Sequence, residues 1–162
     1  TRPHVRLVVV VADAVRAGVL AQAPPGALVV EEKEKDDAFA AATVALAASG
    51  TVTTEVALQG APLVIGYKLG WITWAVARLI LFKGKFATLM NVAEDEEVAP
   101  ELLQTKFTVA NLVRVGGRLL DDEAARKAQI AAQNRALNLM GRGGRPAAEI
   151  AADVVQKYLP QT

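Results

Sequence analysis

Residues Val44–Tyr67 read VALAASGTVTTEVALQGAPLVIGY, and this stretch decides the fold. Val44–Ala48 is too short and too apolar for anything but a strand inside a sheet. It runs into Ser49-Gly50-Thr51, after which Thr51–Gln59 reads as a helix despite its β-branched start. Gly60-Ala61-Pro62 punctuates, and Leu63–Tyr67 gives the next strand. Strand, small-residue turn, helix and strand together make the βαβ unit of a parallel sheet.

The alternation extends in both directions. Val5–Ala12, VRLVVVVA, is a continuous β-branched run and predicts a strand buried on both faces. Asp13 is the expected N-cap of a helix over 14–23, stopped by Pro24-Pro25-Gly26. Ala27–Val30 reads as a strand, and Glu31–Asp37 as a charged loop feeding a short helix over 37–43. Beyond the opening stretch, Gly70–Phe82 predicts a helix and Phe86–Asn91 a fifth strand. Glu101–Lys106, Val109–Leu120, Glu123–Met140 and Pro146–Leu159 then read as helices. The expected class is α/β: a Rossmann-like parallel sheet with helices on both faces, followed by C-terminal helices. Residues 1–122 form the expected Rossmann-like domain, and residues 123–162 helices that pack on it or bridge to another half.

Composition narrows the function classes. Of 162 residues, 52% are hydrophobic and 22% charged, which suits a packed core and excludes a disordered chain. The formal net charge of +1 supplies no global field toward nucleic acid. With no cysteine there are no disulfides, zinc ribbons or thiol nucleophiles, and the lone His4 cannot build a histidine metal site. No metal and no cofactor are expected. The chain opens Thr-Arg-Pro-His-Val and enters a strand-like run within five residues, the pattern of a piece of a longer polypeptide.

Ligands of parallel α/β sheets bind beyond the carboxyl ends of the strands, and Ser49–Thr51 is such a turn. Two readings stand. The turn is a helix start that caps itself, or its small residues let an anion such as a diphosphate approach the helix's unpaired amides. Glu55, four residues after Thr51, sits one turn in on the same face. There it either complements the helix dipole or accepts hydrogen bonds from a vicinal diol one ribose away from a diphosphate. Diphosphate on the turn with ribose on the acid describes a nucleoside diphosphate. No G-x-G-x-x-G follows the first strand and no G-x-x-x-x-G-K-[ST] occurs, which speaks against dinucleotide enzymes and P-loop ATPases. Gly141–Arg145 is Gly-rich but lies between two predicted helices and reads as a turn.

The run ALAASGTVTTEVALQGAPLVIGYK resembles the donor-site segment of the lipid-A-disaccharide synthase family, roughly A-x-x-A-S-G-T-x-T-L-E-x-A-L-x-G-x-P-M-V-V-x-Y. LMNVAEDEEVAPELLQ is similar to that family's L-P-N-[LIV]-[LIV]-A-G-x-x-[LIV]-[LIV]-P-E-[LF]-[LI]-Q. The first motif is shared in looser form with other UDP-sugar transferases, and the second makes the resemblance specific. It implies a GT-B glycosyltransferase, of which this chain is the carboxyl-terminal, donor-binding half. The implied reaction is inverting transfer of 2,3-diacylglucosamine from its UDP form to 2,3-diacylglucosamine 1-phosphate.

By the same resemblance, Ser49, Gly50 and Thr51 would face the UDP diphosphate and Glu55 the ribose hydroxyls. Asn91, Glu97 and Gln104 would line the donor side of the cleft. The general base is expected in the amino-terminal half, with Glu34–Asp36 the loop on this half where relatives place one. Two departures stand out. Glu94-Asp95-Glu96 replaces the family's Ala-Gly-Arg, and Met90 stands where proline is usual.

Gly66–Lys85, GYKLGWITWAVARLILFKGK, has an apolar centre too short to span a bilayer. Trp71 and Trp74, with Arg78 and Lys83, suit a helix dipping into a lipid surface. A helix buried against the sheet, or a dimer contact, fits the same pattern. The resemblance implies a cytoplasmic protein, peripheral on the inner face of the inner membrane of a Gram-negative bacterium, with a homodimer or domain swap as further partners. A UDP-N-acetylglucosamine transferase or epimerase half, or a non-catalytic binding or dimerisation domain, are the competing readings.

Overall fold

The computed structural model describes residues 2–70 and 85–158. Among these, β1 (Val8–Val11), α1 (Arg16–Gln22), β2 (Leu28–Glu31), α2 (Lys35–Ala40), β3 (Ala45–Ala47), α3 (Thr51–Leu58) and β4 (Leu63–Tyr67) alternate as expected. They are followed by α4 (Leu89–Glu94), β5 (Glu101–Leu103), α5 (Val109–Asp121), α6 (Glu123–Leu139) and α7 (Ala147–Gln156). Every pairing is parallel.

The strands divide into two sheets, β1-β2 and β3-β4-β5, rather than one. In the first, Val8 lies opposite Leu28; in the second, Ala47 lies opposite Ile65, and Ile65 opposite Glu101. The core gathers under the second sheet. Leu63, Ile65, Met90, Val56 and Leu137 are sealed from solvent there, with α6 packed across α3 and α4. On the other face Val64, Leu102 and Leu119 pack with Leu112 and Val115 of α5, at the three- and four-residue spacing of an amphipathic helix. Gln129 and Gln133 of α6 reach in and donate to the carbonyls of Leu63 and Ala61 at 2.8 and 3.3 Å.

Several expectations are corrected. The first strand covers only Val8–Val11, and it is not buried on both faces: Val8 is 41% exposed while Val11 is 1%. Asp13 does not cap a helix; it begins a 3-10 turn, Asp13–Val15, whose N-cap is Ala12. The charged loop contains a 3-10 turn, Glu32–Glu34, closed by a reciprocal capping box between Glu31 and Glu34, so α2 starts already at Lys35.

The largest exchange is between two short segments. Phe86–Asn91 is not a strand, because Glu101 collects the Ala87 and Thr88 amides and α4 begins directly after them. Glu101–Lys106 is not a helix. Its first three residues pair with β4 and its last three make a 3-10 turn, since the open edge of β4 offers Pro100 and Leu102 partners that a lone helical turn lacks. The expected helix Gly70–Phe82 lies almost wholly outside the described residues.

Candidate functional site

The turn after β3 lies at the carboxyl end of the three-stranded sheet. Gly50 is the N-cap of α3, and no side chain caps the helix. Thr53 instead turns its hydroxyl back to donate to the Gly50 carbonyl at 2.7 Å, while its own amide donates to the same oxygen at 3.2 Å. The self-capping reading of Ser-Gly-Thr is therefore not what the structure adopts. The Thr51 and Val52 amides have no acceptor among the described residues, and helix geometry leaves them pointing off the end of α3. A Cβ at Gly50 would meet nothing within 4 Å, so the approach to those amides is open.

Ser49 is half-buried, and its hydroxyl lies near the Tyr67 phenol of β4. Burial pushes the Tyr67 phenol above its ordinary value, the Glu101 charge adds to the rise, and the nearby Ser49 hydroxyl works against both. An apolar hollow of about 170 Å³ adjoins the turn, lined by Leu46, Ala47, Ala48, Val64, Gly66 and Phe107 among others.

Glu55 lies one turn into α3 and meets a partner that the sequence did not reveal. Lys35 Nζ, at the start of α2, donates to Glu55 Oε2 at 3.0 Å. That bond raises the Lys35 ammonium above its ordinary pKa. Both side chains keep about a third of their surface, 31% and 37%, so the pair is reachable from solvent. Of the expected base loop, Glu34 spends its carboxylate on the Glu31 amide at 3.2 Å, and Asp36 is exposed.

The second motif is brought together differently from the first. Asn91 is fully buried: its amide donates to Ala99 O at 2.8 Å and Glu101 Oε1 at 2.9 Å, and its oxygen accepts from Ala99 N at 2.9 Å. Glu101, also buried, accepts from Ala87 N and Thr88 N at 2.8 to 3.2 Å. Its charge thus fills the amide-rich start of α4. Gln104 pairs with both backbone groups of Leu69, accepting its N–H at 3.0 Å and donating to its carbonyl at 3.2 Å. Asn91 and Gln104 are accordingly engaged with this chain's own backbone. Glu97 stands before β5, on a groove with Val98, Pro100, Arg118, Leu119 and Gln129, toward the amino ends of the strands and away from Ser49.

The acidic triplet is accounted for locally. Asp95 closes α4 in the left-handed region, φ 52°, at the position where the family pattern has glycine. Arg135 of α6 lies 3.1 Å from Glu96 and 3.8 Å from Glu94, so one cation faces two of the three new acids. Trp71, Trp74, Arg78 and Lys83 lie outside the described residues. Among the described residues no helix is long and apolar enough to cross a membrane, and no cluster of metal-binding side chains occurs.

Parallel strands with crossover helices, and a bare helix start at the carboxyl edge, define a Rossmann-like α/β unit of the kind that forms half of a GT-B glycosyltransferase. The family model described as lipid-A-disaccharide synthetase matches residues 2–155, and the chain belongs to that family. It is 44% identical over 152 residues to a lipid-A-disaccharide synthase of Paramagnetospirillum magneticum, covering 93% of this chain and 39% of the relative. The corresponding enzyme of Rhodospirillum centenum is 36% identical over 145 residues, covering 90% and 36%. That of Ruegeria pomeroyi is 40% identical over 126 residues, covering 78% and 30%. The chain therefore spans well under half the length of these curated relatives.

Proposed function

We propose that this chain is the donor-binding half of a glycosyltransferase that moves 2,3-diacylglucosamine from UDP to 2,3-diacylglucosamine 1-phosphate. One observation carries the reading: in a member of this family, the Ser49-Gly50-Thr51 turn leaves the first amides of α3 unfilled, with Glu55 one turn behind them. The UDP diphosphate sits against those amides, where helix-terminus donors offset the charge of the departing nucleotide without a metal. Glu55 takes the ribose hydroxyls. Lys35 holds Oε2 of that carboxylate, and Oε1 has no hydrogen-bond partner among the described residues, so one oxygen is left for the diol.

This half supplies binding and leaving-group stabilisation, and the other half supplies the base that takes the proton from the acceptor hydroxyl. Atoms balance in that division: the acceptor oxygen bonds the sugar's anomeric carbon as the bond to the UDP oxygen breaks. Acylated substrates place the reaction at the inner-membrane surface, with the Trp71–Lys83 segment as the contact. A second half or second copy would meet α7 and the turn after it, where Ile150 and Val154 of the helix and Tyr158 of the turn stand 49 to 85% exposed.

Titrating the chain with UDP tests the reading, with the Ser49–Thr51 amides followed by NMR. Shifts confined to that turn and α3, weakened by Glu55→Ala and by 2′-deoxy-UDP, are expected. Saturation with shifts elsewhere, or a Glu55→Ala variant that binds as tightly as the unaltered chain, overturns it.

A further inference from the structure

We propose that Gln104 is a positioning residue: it fixes the backbone of Leu69 and thereby sets the carboxyl edge of β4 beside the Ser49 turn, without touching the ligand. The inference rests on the nucleotide site argued above. Its first support is the paired bond itself. The Gln104 side chain offers Leu69 an acceptor and a donor together, as a neighbouring peptide group would. It prolongs the β4–β5 pairing two residues past its last rung, Tyr67 opposite Leu103.

A second support is backbone conformation. Gln104 sits at φ 51°, in the left-handed region that a side chain with a Cβ enters at a cost. Glycine would hold that conformation without strain. What a glycine lacks is the amide that reaches Leu69. Strain held at the end of a strand, next to a ligand edge, is the pattern in which a side chain's reach outweighs its conformational cost.

Third, the contact leads on to the site. Leu69 is two residues from Tyr67, the last residue of β4, and β4 pairs with β3, whose end carries Ser49, the first residue of the turn. β4 lies between β3 and β5, so a shift of its carboxyl end is felt directly at the end of β3. Gln104 thus stands two links from the diphosphate position while its own polar atoms are occupied with the backbone.

Three variants of this chain test it: Gln104→Gly, Gln104→Leu and Gln104→Glu, each with Leu69 amide exchange, UDP titration and thermal melting. Gln104→Gly releases the strain as it removes the clamp. Its melting temperature should therefore stay within about 2 °C of the unaltered chain. Leu69 exchange should nevertheless rise and UDP affinity fall, each by roughly tenfold for two lost hydrogen bonds. Gln104→Glu keeps the acceptor for the Leu69 amide and loses the donor to its carbonyl, so it should fall between. A merely structural residue would move melting and affinity together.

Affinity lost with Leu69 exchange unchanged would mean direct ligand contact and overturn the proposal. Exchange raised with affinity unchanged would overturn it equally. No response of the unaltered chain to UDP would count against the nucleotide reading instead, and Leu69 exchange would still decide whether the clamp exists.

Discussion

Lys35 Nζ lies 3.0 Å from Glu55 Oε2, so the start of α2 is tied to the second turn of α3 across twenty residues of sequence. The pair is too exposed to contribute much to stability. Its consequence is orientation. A glutamate tethered through one oxygen presents the other in a fixed direction, which a free side chain does not.

Lys35→Met should therefore lower the preference for UDP over 2′-deoxy-UDP while leaving the melting temperature within a few degrees. Lys35→Arg should restore part of that preference. Calorimetric titration with the two nucleotides checks it, and an unchanged ratio in Lys35→Met would show that Glu55 needs no tether.

The same pair sets a pH dependence. The Glu55 hydrogen bond raises Lys35 above its ordinary value, so the folded state holds that proton more tightly than the unfolded chain does. The contribution is complete below that value and disappears as pH rises through the higher folded one. Melting of the unaltered chain and of Lys35→Met should thus differ by a constant amount near neutrality and converge only in strong alkali, above about pH 11. Convergence already near neutral pH would contradict the tether.

Gly66 is required by its neighbour. A Cβ there would collide with Phe107 Cε2 and come within 2.6 Å of Cδ2, so the ring fills the space that a side chain would take. Gly66→Ala should cost about 1–3 kcal/mol by overpacking. Adding Phe107→Leu should recover part of the loss, and thermal melting of the single and double variants reads the coupling. Additive losses would place the cause elsewhere.

Asp95 offers the opposite case. At φ 52° it closes α4 in a conformation that glycine occupies more readily. Asp95→Gly should raise stability by roughly 0.5–1 kcal/mol, measurable by urea unfolding. A loss would mean that the aspartate carboxylate makes a contact outweighing the strain.

How far the sequence reveals this depends on where each residue finds its partner. Leu63–Tyr67 is recovered to the residue, because a β-branched run between Pro62 and a glycine-containing end has no competing helical period. Glu123–Leu139 and Val109–Asp121 come within a residue of the expected helices, and Asp122 and Thr108 cap them by accepting from Ala125 N and Asn111 N. From sequence alone Phe86–Asn91 reads as a strand and Glu101–Lys106 as a helix, because each is about six residues long and takes its form from the other. Glu101 settles the start of α4, and β4 settles the shape of Glu101–Leu103.

The candidate site divides in the same way. Ser49, Gly50, Thr51 and Glu55 share one helix start, so their spacing alone locates them. Lys35 reaches Glu55 from another element, and no local pattern announces it. Asn91 and Gln104 stood out as motif residues, yet which of their atoms were free could be seen only once Ala99 and Leu69 were placed beside them.

The ion pairs of Arg135 make two regions of the chain mutually dependent. Exchanging Glu96 for a cation alone, toward the family's pattern, would set like charges 39 positions apart against each other. The tolerable route runs through a paired change, in which the loop regains its basic residue only as α6 gives one up. Grafting this loop onto a relative would require moving the helix residue with it, so the transferable unit is the couple and not the triplet.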